Sequence, residues 1–192
     1  MLYREIESYI ESFLLSNSNK LLTVTGARQI GKSYIIYRHV GKKLYKNFIE
    51  INLLEDKLND KIFENVTSVK DFYLNLSSLF GDKLSRKEDT LIFLDEVQTY
   101  PELLTLFKFL KIDDKYNYIA SGSLLGVTLF NTSSVPIGSI ELKEMYQLSF
   151  KEFLIANNFN KNSIESLTIK KSKLESLDKG LHNRLLNLFK EY

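Results

Sequence analysis

The chain has 192 residues, 44% hydrophobic and 12% aromatic, with a net charge of +2 from 26 basic and 24 acidic side chains. That apolar content supports a sizeable core and excludes a disordered chain, and the balanced charge argues against a surface dedicated to nucleic acid. The absence of cysteine excludes disulfides and thiolate metal sites, and no apolar run reaches membrane-spanning length.

One domain with a small appendage fits this length. Residues 1–6 are too charged for a signal peptide, so the sequence predicts a soluble, cytoplasmic protein with no membrane partner. Residues 2–15 are expected to form an amphipathic helix, with Leu2, Ile6, Tyr9, Ile10, Phe13 and Leu14 on one face and Glu5, Glu7 and Glu11 opposite. The polar residues 16–19 end it, and residues 21–25 form a β-prone run. There follows Gly26-Ala27-Arg28-Gln29-Ile30-Gly31-Lys32-Ser33, which reads G-x-x-x-x-G-K-[ST]. In such a loop the glycines let backbone N–H groups turn inward, and the helix behind points its positive end at the same place. Gly26, Ala27, Arg28, Gln29, Ile30, Gly31, Lys32, Ser33 and Tyr34 are therefore the candidate nucleotide-binding residues. Lys32, expected at the surface, would place its charge on the β- and γ-phosphates, and Ser33 would offer its hydroxyl to Mg²⁺. Residues 34–40 have near-helical apolar spacing, with Gly41 as the expected stop.

Residues 47–52 alternate as a strand. Residues 53–65 read as helix and loop. Ser68 resembles a helix cap with Asp71 in the reciprocal position, and Gly81 fits the end of the helix that follows. Residues 90–96, Thr-Leu-Ile-Phe-Leu-Asp-Glu, suit a strand buried on both faces that ends in two acids. This is the Walker B pattern, in which Asp95 would hold Mg²⁺ and Glu96 would act as general base on the attacking water. Pro101 opens a helix with Leu103, Leu104, Phe107 and Leu110 on its buried face. Residues 116–120 form another strand. At its tip Ser121 and Ser123 are candidates to contact the γ-phosphate or the water, Ser121 being assigned a catalytic role. A short helix and a loop are expected over 124–136, and a final strand over 139–142 and 145–148. Ser149 and Glu152 form a capping box, 157–173 reads as a loosely structured linker, and Leu181, Leu185, Leu188 and Phe189 mark a last amphipathic helix.

Alternating strands and helices predict an α/β three-layer P-loop NTPase fold with a mainly parallel central sheet. The acid strand is expected beside the P-loop strand, with residues 47–52 at the edge. Residues 1–156 are expected to form the ATPase domain, and 157–192 a Lys/Asn-rich linker and terminal helix.

Several of these stretches resemble a prokaryotic AAA-type P-loop ATPase family. Residues 26–33 are similar to its GxRQxGK[ST] loop, 92–98 to its FLDEIQ stretch, 121–125 to its sensor-strand tip, and 134–138 with 145–154 to its domain-ending signature. The resemblance covers about residues 1–156 and extends more weakly to 192. It implies an ASCE-type ATPase with the acid strand between the P-loop and sensor strands. It also implies a C-terminal domain of nuclease-like fold beyond the point where this chain stops. Relatives often carry Arg or Lys after the glycine of the 135–138 stretch, where this chain has Ser139.

The leading expectation is an ATP-binding and ATP-hydrolysing switch or motor, with ATP and Mg²⁺ as ligands and a protein partner or second copy beside it. The alternatives are a nucleotide-binding interaction module with little turnover, a small kinase, and a helicase. A kinase needs a lid with several arginines, and 124–150 contains none; a helicase needs two RecA-like domains. Arg28 is open between a cation acting in cis and a structural role in the loop, and Gln98 is a candidate nucleotide sensor. His39 and His182 have no second ligand nearby in sequence. The Lys161–Lys179 stretch leaves nucleic acid open as a partner, although its interspersed acids favour a solvated tail.

Overall fold

The computed structural model describes residues 2–16, 18–123 and 137–192, the side chains of His39 and Ile137 excepted. Residues 124–136, with the helix and loop expected there, lie outside the described residues. The chain divides into two compact units, one formed by 6–146 and the other by 1–5 together with 147–192.

In the first unit five strands, β1 (Leu21–Thr25), β2 (Asn47–Asn52), β3 (Thr90–Asp95), β4 (Asn117–Gly122) and β5 (Ile140–Glu144), form one sheet in the order β2-β3-β4-β1-β5. Each neighbouring pair is parallel. Side chains alternate between the faces of a strand, so β1 to β4 each feed two cores. Ile92 and Leu94 pack with Phe72, Leu76, Leu104 and Phe107 from the helices Val69–Phe80 and Pro101–Asp113. Leu91 and Phe93 pack on the other face with Ile6 and Ile10 of the helix Glu5–Leu15 and with Ile35, Ile36 and Val40 behind the loop. Burial on both faces explains why β3 is apolar without alternation: all six of its residues are buried.

The expected strand order is corrected. β4, not β3, is the neighbour of β1, with Val24 opposite Ser121, while Leu94 lies opposite Ala120 on the other side of β4. The sensor strand therefore lies between the P-loop and acid strands, the reverse of what the resemblance implies. Connectivity is the reason: β2, β3 and β4 follow one another through helical crossovers and so lie side by side. That run starts at the edge, where β2 was expected, and returns to β1.

Gly41 is also corrected. The helix behind the loop runs as Lys32–Ile35, then a π-helical segment Ile36–Gly41, then Lys42–Leu44, and Gly41 stays right-handed. A Cβ there would stand 2.0 Å from the Phe48 ring, so close approach rather than termination calls for glycine. Gly81 does end the helix Val69–Phe80 as expected, in right-handed backbone that opens a 3-10 turn, Gly81–Lys83. The strand expected over 145–148 is absent, because pairing ends with Thr25 opposite Glu144.

In the second unit Ser149 and Glu152 form the expected capping box on the helix Phe150–Ala156. The expected loose linker contains a helix, Lys161–Ser172, capped by the Asn160 side chain on the Ser163 N–H at 2.7 Å. Its surface is polar nearly all round, which hid it in the sequence, and its anchor is Ile164 against Leu154 and Phe159. The helix Lys179–Glu191 presents Leu181, Leu185 and Leu188 to the same cluster.

Candidate nucleotide site

The loop between β1 and its helix takes positive φ at Gly26 (146°), Gln29 (63°) and Gly31 (93°). Nothing lies within 4 Å of a Cβ built on Gly31, so only its backbone angle requires glycine. Gly26 is constrained twice. A Cβ there would meet the Met145 carbonyl oxygen at 2.2 Å, where the chain leaves β5 and the Met145 N–H donates to Thr25 O at 2.7 Å. No local sequence signal marks Met145 for this role, because the contact is tertiary.

Lys32 opens the helix and is buried, 6% exposed, contrary to the expected surface position. Its Nζ donates to the carbonyls of Gly26 at 3.1 Å and Ala27 at 2.8 Å. Burial lowers its pKa, the charges of Glu96 and Asp95 pull it back up, and Arg28 adds to the lowering.

Ser33 Oγ donates to Asp95 Oδ2 at 2.6 Å, joining the two sequence motifs. The other carboxylate oxygen accepts from Ser121 Oγ and from the Glu96 N–H at 3.0 Å. Ser121 is fully buried, so the structure places its hydroxyl on Asp95. A carboxylate and a hydroxyl converging at the end of a strand form an oxygen donor set suited to Mg²⁺, which takes few protein ligands and shares the rest with phosphate oxygens and water.

Glu96 is non-glycine in the left-handed region, φ 54° and ψ 44°. Such residues cost on the order of 1–3 kcal/mol and cluster at functional sites. The turn it makes sets Glu96 and Asp95 in different surroundings. Glu96 Oε2 accepts from Gln98 Nε2, and Ser123 Oγ stands 3.5 Å from it. Glu50 on β2 escaped the sequence reading. Desolvation first, then the charge of Asp95, raises its pKa.

Ala27, Arg28, Gln29 and Tyr34 are exposed around the loop, while Ile30 is partly covered. The motifs thus converge at the carboxyl ends of β1, β3 and β4, where open α/β sheets bind ligands. A cavity of about 570 Å³ at the opposite end of the strands, lined in part by Lys87, Lys111 and Asn117, contains none of these residues.

The sequence profile of a family of AAA domains matches residues 18–154. The chain belongs to this AAA-domain family. Membership and fold together point to a nucleotide-binding, AAA-like function. An uncharacterized protein of Methanocaldococcus jannaschii is 28% identical over 156 residues, covering 81% of this chain and 33% of its own length. An uncharacterized protein of Haemophilus influenzae is 21% identical over 159 residues, covering 82% and 39%. The AAA-domain chain thus spans about a third to two fifths of the length of the curated relatives it matches. The S. cerevisiae Hsp104–ADP complex aligns with a TM-score of 0.54 and 13% identity over 82% of this chain and 24% of that chain, a likeness of fold alone. Among the described residues no helix is long and apolar enough to cross a membrane.

Proposed function

We propose that this AAA domain binds Mg-ATP at the Gly26–Tyr34 loop and hydrolyses it, as a nucleotide-driven switch or motor within a larger assembly. The observation that carries this reading is the 2.6 Å hydrogen bond from Ser33 to Asp95, which brings loop and acid strand together as one oxygen donor set. Ser33 and Asp95 would hold the metal, which when bound neutralises phosphate charge. The loop N–H groups orient the phosphate chain, and Lys32 exchanges the carbonyls of Gly26 and Ala27 for the β- and γ-phosphates. Ser121 holds Asp95. Glu96 accepts a proton from the water whose oxygen bonds to the γ-phosphorus, while the bond to the β-bridging oxygen breaks and ADP leaves with the electron pair.

Residues 1–156 then form the catalytic part and 157–192 a linker and terminal helix, and the domain works beside a protein partner or a second copy. A cation beyond Lys32 is not supplied by Ser139, and a missing arginine finger costs ~10³–10⁵ in kcat. Turnover by this chain alone is therefore slow, and a partner raises it. If Arg28 is the cation in cis, Arg28→Ala lowers turnover further without abolishing binding.

Phosphate release from Mg-ATP should be measurable for the wild type and lost in Lys32→Ala. Asp95→Ala should weaken Mg-nucleotide binding, whereas Glu96→Gln should bind normally and turn over roughly 10²-fold or more slowly, the scale of a lost general base. Equal loss of binding in both acid variants would overturn the assigned roles. Normal Mg-ATP binding with no release above Lys32→Ala would favour a nucleotide-binding interaction module instead.

A further inference from the structure

Gln98 follows the two acids in the 3-10 turn Val97–Thr99, and neither metal binding nor the proton transfer described above makes use of it. Its Nε2 donates to Glu96 Oε2 and lies 3.4 Å from Ser123 Oγ. A carboxylate only accepts hydrogen bonds, so the nitrogen end of the amide must face it. The other end, Oε1, is buried and has no hydrogen-bond partner among the described residues. A buried acceptor without a donor calls for an explanation, and a side chain that merely filled space here would avoid it with an apolar tip. The hydrogen bond from Nε2 to Glu96 supplies that explanation: an amide can hold the carboxylate, and an apolar tip cannot.

β4 supplies the second half of the arrangement. Ser121 and Ser123 are two residues apart at its tip and are buried, at 0% and 3% exposure. Ser121 donates to Asp95, and Ser123 lies 3.5 Å from Glu96. The strand inserted between the P-loop and acid strands therefore presents one hydroxyl to each acid.

We propose that Gln98 is a positioning residue for Glu96: its carboxamide, backed by the Ser123 hydroxyl, fixes the orientation in which the Glu96 carboxylate meets the attacking water. This rests on the hydrolytic reading above. The Glu96 side chain has rotatable bonds beyond its backbone, and its left-handed turn directs only the Cα–Cβ bond. Without Gln98 the carboxylate samples several orientations, and misplacement by ~1 Å costs on the order of 10²-fold in rate.

The test has two arms. The first needs no turnover. In nucleotide-free protein the side-chain amide resonance of Gln98 is expected to be displaced from the unbonded range and to return to it in Glu96→Ala. An amide indifferent to Glu96→Ala overturns the proposal. The second compares single-turnover rates and ATP affinities of wild type, Gln98→Leu, Glu96→Gln and the double variant. Gln98→Leu is expected to lower the rate on the order of 10-fold with ATP affinity unchanged, and to have no further effect in Glu96→Gln, as for groups acting as a unit. A Gln98→Leu rate equal to wild type, or effects that multiply in the double variant, overturns the inference while leaving the hydrolytic reading intact. A wild-type rate no faster than Lys32→Ala overturns the hydrolytic reading and the positioning role with it.

Discussion

The Lys32 ammonium is held under the loop by two carbonyls, and burial lowers its pKa against the opposing pull of Glu96 and Asp95. A lysine whose folded pKa lies below its unfolded value is less protonated in the fold than in the unfolded chain between the two values. Stability then rises with pH through that window, which lies below the ordinary lysine value of 10.5. At neutral pH the charge opposes folding. Lys32→Met is therefore expected to be more stable than wild type toward urea near neutrality, with the advantage shrinking as pH climbs toward the lysine range. The same variant should weaken Mg-ATP binding roughly 10–100-fold, the equivalent of a charged hydrogen bond of about 1.5–3 kcal/mol. Denaturation curves at several pH values and calorimetric titration check the two halves separately. Lys32, Ser33, Asp95 and Glu96 were legible because their chemistry is tied to spacing along the chain. Ser121 was legible as a residue at the strand tip, but its bond to Asp95 was not; the carbonyl of Met145 and the carboxyl of Glu50 were not legible at all, because each acquires its meaning from a neighbour elsewhere in the sheet.

Two elements show what local pattern conveys and omits. Gly41 reads as a terminator, yet it sits in a right-handed helical segment under the Phe48 ring. In an open helix Gly→Ala would stabilise by about 1 kcal/mol. Here overpacking should dominate, and Gly41→Ala is expected to destabilise by about 1–3 kcal/mol. The loss should largely vanish in a Phe48→Ala background, a coupling that denaturant unfolding of the double-mutant cycle would measure. The cap of Phe150–Ala156 was fully legible, since a capping box is written within four residues. Its tertiary use was not: Glu152 also accepts from the Glu5 N–H at 2.7 Å and from Arg4 Nε at 3.2 Å. Burial raises the Glu152 pKa, but the N–H groups of Ser149 and Glu5 and the Arg4 charge outweigh it, leaving the pKa below the usual value. A depressed carboxyl stabilises the fold above its unfolded pKa, and the contribution is lost as pH falls through the folded value. Glu152→Ala should cost about 3 kcal/mol near neutrality, the scale of one partner lost from a buried pair. That penalty should shrink in acid below about pH 4, where the wild type loses the same contribution. Urea titrations of the two proteins at neutral and acid pH would show it.

At the scale of the molecule, strand number and direction were legible from periodicity, and strand order was not. Order depends on which crossover spans which strands, and the apolar pattern of β3 fits any interior position in a parallel sheet. Ligand linkage is expected to act on one compact unit. At a hundred times Kd, Mg-ATP should stabilise residues 6–146 by roughly 2.7 kcal/mol. For a chain of this size that corresponds to about 5–10 °C in Tm. Scanning calorimetry should show that shift for the transition of this unit and not for that of the unit formed by 1–5 and 147–192. A thermogram unchanged by Mg-ATP would argue against the nucleotide site.

The position of β4 between β1 and β3 has a consequence for how the site is tied to the sheet. Neighbouring strands lie ~4.8 Å apart, so the ends of the P-loop and acid strands are separated by about 10 Å, beyond the reach of backbone hydrogen bonds. Among the described residues side chains cross that gap: Ser33 from one side, Asp95 from the other, and Ser121 from the strand between. None of these side-chain bonds belongs to the ladder that holds the sheet together. Single substitutions at these positions can therefore dismantle the site while the scaffold persists. In this architecture the sheet and the few hydroxyls and carboxylates at its rim rest on separate bonds, so the one can be kept while the other is changed.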